Sequence, residues 1–262
     1  ELEEKLSDYV GVKHVISCSS GTDALLIPLM AWNVGPGDAV FTTPFTYVAT
    51  AEVISLLGAT PVFVDVYEST FNIDCAKLEL AIQNTISEGK LTPKAIIPVD
   101  LFGLPARYYL IEEIAKKYDL KIIEDAAQSF GAKIGDKKVG TFGDIAATSF
   151  YPAKPLGCYG DGGAIFTNDD DLANKCKAIR IHGTTTDKYN SELIGLNGRL
   201  DSLQAAVLLE KLTIFDEELD LREKISIQYR KNLKNCQYIP DNYKSSHALF
   251  SILLESDQQR DQ

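Results

Sequence analysis

Seven short runs rich in valine, isoleucine, phenylalanine and threonine recur through the first two thirds of the chain. They are HVISCS (14–19), AVFTTP (39–44), PVFVDV (61–66), AIIPVDL (95–101), KIIEDA (121–126), IAATSFY (145–151) and GAIFTN (163–168). Most are nearly continuous in hydrophobicity, the pattern of strands covered on both faces. Helical patterns separate several of them. SSGTDALLIPLMAWN (19–33) opens on Ser/Thr/Asp capping chemistry, and RYYLIEEIAKKYD (107–119) offers Glu112 with Lys116 and Glu113 with Lys117 at i, i+4. The alternation predicts an α/β fold with a mostly parallel sheet between helices. NVGPGD (33–38) and KIGDKKVG (133–140) read as turns.

Beyond residue 200 the texture changes. Residues 201–233 form a long charged amphipathic helix, or two joined end to end, and 238–255 resembles the beginning of a separate α/β piece. The expected organisation is a large domain over 1–200 with a partial N-terminus, a connecting long helix over 201–237, and the start of a truncated small C-terminal domain over 238–262. The first residues read as the middle of an amphipathic helix without a methionine, and the last follow a strand-like run, so a fragment missing both ends is expected. A net charge of −11 repels phosphate backbones and anionic membranes, which argues against nucleic acid and membrane partners. Five scattered cysteines without C-x-x-C spacing indicate neither a disulfide framework nor a metal site, and fit a reducing, cytoplasmic setting.

In an open parallel sheet, ligands collect at the carboxyl ends of strands. After the first run come Ser19, Ser20, Gly21, Thr22 and Asp23 at a helix start, where free N–H groups and the helix dipole attract an anion such as phosphate. A plain capped helix start explains the same residues equally well. No Gly-Lys-Ser/Thr follows, so this is not a Walker A loop. Glu124 and Asp125 end the fifth run; one could cap the next helix, or one could pair with a ligand cation. Lys154 lies between Pro152 and Pro155, which predicts a stiff extended segment after the sixth run. Solvated loop lysines are commoner, but Gly157, Gly160, Gly162 and Gly163 downstream would permit backbone to approach a flat ligand or a partner chain. An anion cradle, a strand-end carboxylate and a held lysine are together what pyridoxal phosphate (PLP) needs: a phosphate anchor, a partner for the ring nitrogen and an amine for the aldehyde.

The stretches SSGTDAL (19–25), 43–66, IIPVDLFG (96–103), IIEDAAQSFGA (122–132), 149–167 and GLNGRLDSLQAA (195–206) resemble, in that order, the DegT/DnrJ-type sugar aminotransferases. These are fold type I PLP-transferases acting on nucleotide-linked keto sugars. The resemblance implies that Lys154 bonds the cofactor aldehyde, Asp125 partners the ring nitrogen and Gln128 lies near the ring hydroxyl. It further implies that Gly21, Thr22 and Ser149 bind the phosphate and that Tyr47 stacks on the ring, unless Tyr47 is merely a core aromatic on an apolar helix. Asn197 would reach the phosphate of a neighbouring subunit's cofactor, making a homodimer with shared sites necessary. Some relatives carry histidine at the lysine position and dehydrate their sugars; Lys154 implies transamination, with glutamate as donor. KPLGCYGDGGA (154–164) further resembles the 3-keto-sugar branch, and within it the UDP-2-acetamido-3-keto-glucuronate aminotransferases of surface polysaccharide synthesis. There Arg199 would meet the sugar carboxylate across the dimer interface, or else serve as an interface ion pair. The alternatives are an aminotransferase for another dTDP- or UDP-linked keto sugar, or a non-catalytic PLP-binding regulator. A nicotinamide dehydrogenase lacks its G-x-G-x-x-G here, and a serine hydrolase its G-x-S-x-G.

Overall fold

The computed structural model describes residues 1–185 and 190–261. All seven runs become strands of one sheet: β1 His14–Cys18, β2 Asp38–Thr42, β3 Thr60–Phe63, β4 Thr92–Ile97, β5 Lys121–Asp125, β8 Ile145–Ser149 and β9 Gly163–Thr167. Between β5 and β8 the KIGDKKVG turn forms a hairpin of β6 (Lys133–Ile134) and β7 (Lys137–Lys138), with Gly135 in the left-handed region at φ 57°. The sheet order is β1-β9-β8-β5-β4-β2-β3, and β9 runs against both of its neighbours while the other pairings are parallel.

The helices are α1 Leu2–Val10, α2 Gly21–Ala31, α3 Ala49–Leu56, α4 Cys75–Glu88, α5 Tyr108–Tyr118, α6 Asp170–Arg180, α7 Ser202–Leu212, α8 Phe215–Asn232 and the short α9 Asp257–Arg260. Successive strand side chains leave on opposite faces, which is why the strand sequences are apolar at nearly every position. Val40, Ile97 and Ile123 pack under α2, α3 and α6, whereas Phe41, Ile96 and Ile122 pack under α4 and α5. A third apolar cluster joins α1, α7 and α8 to the sheet through Leu6, Phe130, Phe166, Leu208 and Phe215. These three clusters make the expected α/β architecture, a mostly parallel sheet between helices.

The anticipated i, i+4 pairs within α5 do not form. Lys117 instead reaches Glu79 of α4 at 2.6 Å, and Glu112 faces Lys137 of the hairpin at 3.9 Å, because the exposed side of α5 lies between those two elements. The long charged region is two helices, α7 and α8, joined through Thr213 and Ile214. β10 (Tyr243–Lys244) pairs with β6. The residues after it lie against the loops above the sheet, with Ser246 N–H donating to the Gly103 carbonyl at 3.0 Å and its hydroxyl to the Gln128 carbonyl at 2.7 Å. No helix of the described residues is long and apolar enough to cross a membrane. All five cysteines are free thiols.

Candidate active site

The carboxyl ends of β1, β2, β4, β5 and β8 open onto a cleft of about 600 Å³. Gly21, Thr22, Tyr47, Asp125, Gln128, Ser149 and Lys154 all line it. Residues separated by more than a hundred positions therefore converge on one side of the sheet, at the place where open α/β sheets bind ligands.

Lys154 follows β8, yet its segment is not extended. The Lys154 N–H donates to the Tyr151 carbonyl at 2.8 Å, closing a turn with Pro152 as its second residue. Proline's fixed φ suits that position, so the stiffness expected from the two prolines is supplied by a turn. The glycines that follow serve close approach within this chain. A Cβ on Gly157 would lie 2.6 Å from the Pro152 carbonyl oxygen, and one on Gly163 would lie 2.3 Å from that of Ser20. Lys154 is half-buried, and that burial lowers its amine below the usual lysine range although the Asp125 charge opposes the shift.

The anion cradle is built from two strand ends. The Ser20 hydroxyl caps α2 by accepting from the Asp23 N–H at 3.0 Å. The Gly21 and Thr22 N–H groups of the first turn have no intrahelical acceptor. Ser149 ends β8 beside them, and a Cβ on Gly21 would come within 2.6 Å of the Ser149 Cβ, so glycine is what lets the hydroxyl reach the helix start. Gly163 is the cross-strand neighbour of both Ser149 and Cys18 and thereby fixes their separation. Gly163→Ala is expected to cost about 1–3 kcal/mol by overpacking against backbone that cannot swing aside, read as a lowered urea midpoint.

Neither acid of β5 caps a helix, because residues 127–131 form a turn. Asp125 faces the cleft. Its Oδ2 accepts from the Thr50 hydroxyl at 2.8 Å and its Oδ1 from the Ala127 N–H at 3.2 Å. Burial pushes its carboxyl above the usual aspartate range, against these two donors and the Lys154 charge. Glu124 points away from the cleft, where its carboxylate accepts from the Gly140 and Phe142 N–H groups at 3.0 Å and pins the loop after the hairpin.

Beneath them Asp100 is fully buried and accepts from the Ala106 N–H and Tyr108 hydroxyl at 2.8 Å and the Ser129 hydroxyl at 2.7 Å. Burial, with a smaller push from the Asp125 charge, takes it up to about 7. A carboxyl raised from 3.8 to about 7 keeps its proton in the fold where the unfolded chain has released it, so its contribution to stability falls as pH rises across that window. Asp100→Asn keeps an acceptor and removes the titration. The stability of the wild type relative to this variant is expected to decline between pH 4 and 7, by on the order of 4 kcal/mol at most, in parallel urea titrations.

Gln128 accepts through Oε1 from the Phe102 N–H at 2.7 Å, which leaves its NH₂ hydrogens for the cleft. Phe102 is in the left-handed region at φ 62°. Tyr47 is 69% exposed on the approach to α3, so it is no core aromatic. Asn197 and Arg199 lie outside the cleft. Arg199 donates to the Asn197 Oδ1 at 2.8 Å and lines an adjoining hollow of about 500 Å³ that shares Ser20 and Asp161 with the cleft. His247 is turned toward α8, with Nε2 2.6 Å from Glu223. The sequence reading missed Thr46 and Thr50, and also Ala248 and Leu249, which close the cleft from the C-terminal side. A Thr-x-x-x-Thr spacing at a helix start was the only sequence signal for the first pair.

Comparison with known proteins agrees with this geometry. The profile of the DegT/DnrJ/EryC1/StrS aminotransferase family matches residues 1–262. The UDP-2-acetamido-2-deoxy-3-oxo-D-glucuronate aminotransferase of Pseudomonas aeruginosa is 50% identical over 98% of this chain and 70% of its own length. A DegT/DnrJ/EryC1/StrS aminotransferase from Brucella abortus, known as a crystal structure, superposes with a TM-score of 0.94 at 53% identity, covering 95% of this chain and 68% of that one. NtdA from Bacillus subtilis, solved with bound cofactor PMP, superposes with a TM-score of 0.81 at 33% identity over 95% of this chain and 57% of its own. The chain spans between 59% and 70% of the length of such curated relatives.

Proposed function

The chain belongs to the DegT/DnrJ/EryC1/StrS aminotransferase family, and from that premise we propose that it performs PLP-dependent transamination of a nucleotide-linked 3-keto sugar. The substrate we propose is UDP-2-acetamido-2-deoxy-3-keto-glucuronate, with glutamate as amino donor, in the cytoplasmic synthesis of surface polysaccharide precursors. The observation that carries the reading is that Lys154 and Asp125 face one cleft whose far side is a helix-start anion cradle.

The residues present fit the cofactor. Gly21, Thr22 and Ser149 offer backbone and hydroxyl donors to its phosphate, and the space a Gly21 Cβ would fill is taken by Ser149. Asp125 would hold the ring nitrogen, Gln128 would donate to the ring hydroxyl, and the Tyr47 ring would cover the exposed face. Bound there, PLP supplies an electron-withdrawing ring and an aldehyde that carries the amino group from donor to acceptor. Asp125, when ionised and held by its two donors, would favour a protonated ring nitrogen, because opposite charge stabilises it. The Lys154 Nζ, whose basicity burial lowers, would serve as the general base and then acid of the transfer.

Asn197 and Arg199 would complete the site of a second subunit in a homodimer, Asn197 at the partner cofactor's phosphate and Arg199 at the sugar carboxylate. The domain division at residues 200 and 237 belongs to the same reading. Arg199→Ala is expected to raise KM for a uronate sugar by about 10-fold or more, as loss of a charged hydrogen bond does. The neutral sugar should change little; equal effects on both would remove the carboxylate role. The test of the whole reading is to load the purified protein with PLP, incubate it with glutamate and a panel of nucleotide keto sugars, and follow products by mass spectrometry. Turnover of the 3-keto-glucuronate is expected. Colour without turnover of any pair would favour the non-catalytic regulator.

A further inference from the structure

Thr50 is 1% exposed in the first turn of α3, and its Oγ1 lies 2.8 Å from Asp125 Oδ2. The Thr46 hydroxyl lies 3.1 Å from the same Oγ1, and the Tyr47 carbonyl 3.3 Å from it. A hydroxyl has one proton to give, and an ionised carboxylate has none. Thr50 therefore donates to Asp125 at the shorter distance and accepts from Thr46, which makes a directed chain Thr46 to Thr50 to Asp125. The chain ends on a carboxylate whose other oxygen is held by the Ala127 N–H, so Asp125 is gripped from two elements, α3 and the turn after β5. Tyr47, on the approach to α3, lines the same cleft.

We propose that Thr50 is a positioning residue: its hydroxyl fixes the Asp125 carboxylate in its cleft-facing orientation, so that the ring nitrogen of PLP is met by a carboxylate oxygen already in place. This rests on the PLP reading of the cleft. Charge-assisted hydrogen bonds are the stronger kind, and the loss of one at a buried carboxylate leaves it free to rotate and to take up a proton.

The experiment compares wild type, Thr50→Val and Thr50→Ser as full chains, reading the PLP dissociation constant by fluorescence quenching, the absorption spectrum of bound PLP, and the thermal midpoint without PLP. Thr50→Val keeps the shape and loses the hydroxyl, so PLP affinity is expected to fall about 10-fold with an altered spectrum, and Thr50→Ser should return to within about 3-fold of wild type. Thr50→Val that binds PLP as tightly as wild type with the same spectrum overturns the proposal, as does Thr50→Ser no better than Thr50→Val. Should Thr50→Val fail to fold, Thr46→Val interrupts the same chain one link earlier. It is expected to weaken PLP about 3-fold, and an unchanged affinity there overturns the proposal. Wild type that takes up no PLP at all overturns the reading of the cleft itself, an outcome distinct from matched binding by wild type and variant.

Discussion

Lys154→Ala is expected to abolish transamination, lowering single-turnover rates by about 10²–10⁴-fold from loss of the positioned base alone. It should also remove the point at which borohydride is expected to attach PLP irreversibly to the wild-type chain. Among the described residues lining the cleft, Lys154 supplies the one side-chain amine. Lys211, whose Nζ donates to the Gly157 carbonyl at 2.6 Å, is committed elsewhere and cannot substitute. The position is prepared in two ways. A turn with Pro152 as its second residue fixes the backbone, and partial burial lowers the amine so that more of it is the neutral base near pH 7. Lys154→Arg retains the positive charge but cannot give up its proton, so it should be as inactive as alanine while leaving Asp125 its neighbouring cation. Intact-protein mass after borohydride reduction is the measurement. A variant that still gains the cofactor's mass, or keeps turnover within tenfold of wild type, would show that another group does the work.

What the sequence made legible follows from the range over which each signal acts. Six of the seven strands stood out because helices cover both faces of the sheet there, so their residues are apolar almost without interruption, whereas the edge strand β3 leaves Thr60 and Phe63 exposed and stood out by its β-branched and aromatic content. β6, β7 and β10, each two residues long, carry no such pattern and exist only through their pairing with one another. Local pattern alone could not separate Glu124 from Asp125, and only the family resemblance singled out Asp125; neighbours on a strand face opposite sides, and in the fold Asp125 is the one over the cleft. The prolines around Lys154 suggested an extended segment, but the fold closes a turn there instead. Within α5, local charge pairing gave way to partners on α4 and the hairpin. Thr50 was out of reach of any local rule, since its carboxylate partner lies 75 positions away.

The second large effect is expected from Asp125→Asn, and its two readouts should move differently. Asparagine keeps the shape, can accept from the Ala127 N–H, and can donate to the Thr50 oxygen once that hydroxyl turns to Thr46 or to the Tyr47 carbonyl. What disappears is the negative charge that the proposed site would set beside the ring nitrogen. Removing a preorganised charge aimed at a reacting group costs about 10²–10³ in kcat, and that loss is expected here with weaker PLP binding. Stability without PLP should behave otherwise. Burial raises the Asp125 carboxyl above its ordinary range, which means that ionisation in the fold is less favourable than in the unfolded chain. The native protein then holds the proton more tightly, and stability falls as pH rises through the interval between the unfolded and folded values. The neutral amide escapes that loss, so the thermal midpoint of the variant without PLP should equal or exceed that of wild type at pH 8 while its turnover collapses. A midpoint that falls together with the activity would assign Asp125 to holding the cleft in shape. Undiminished turnover would remove it from the chemistry altogether.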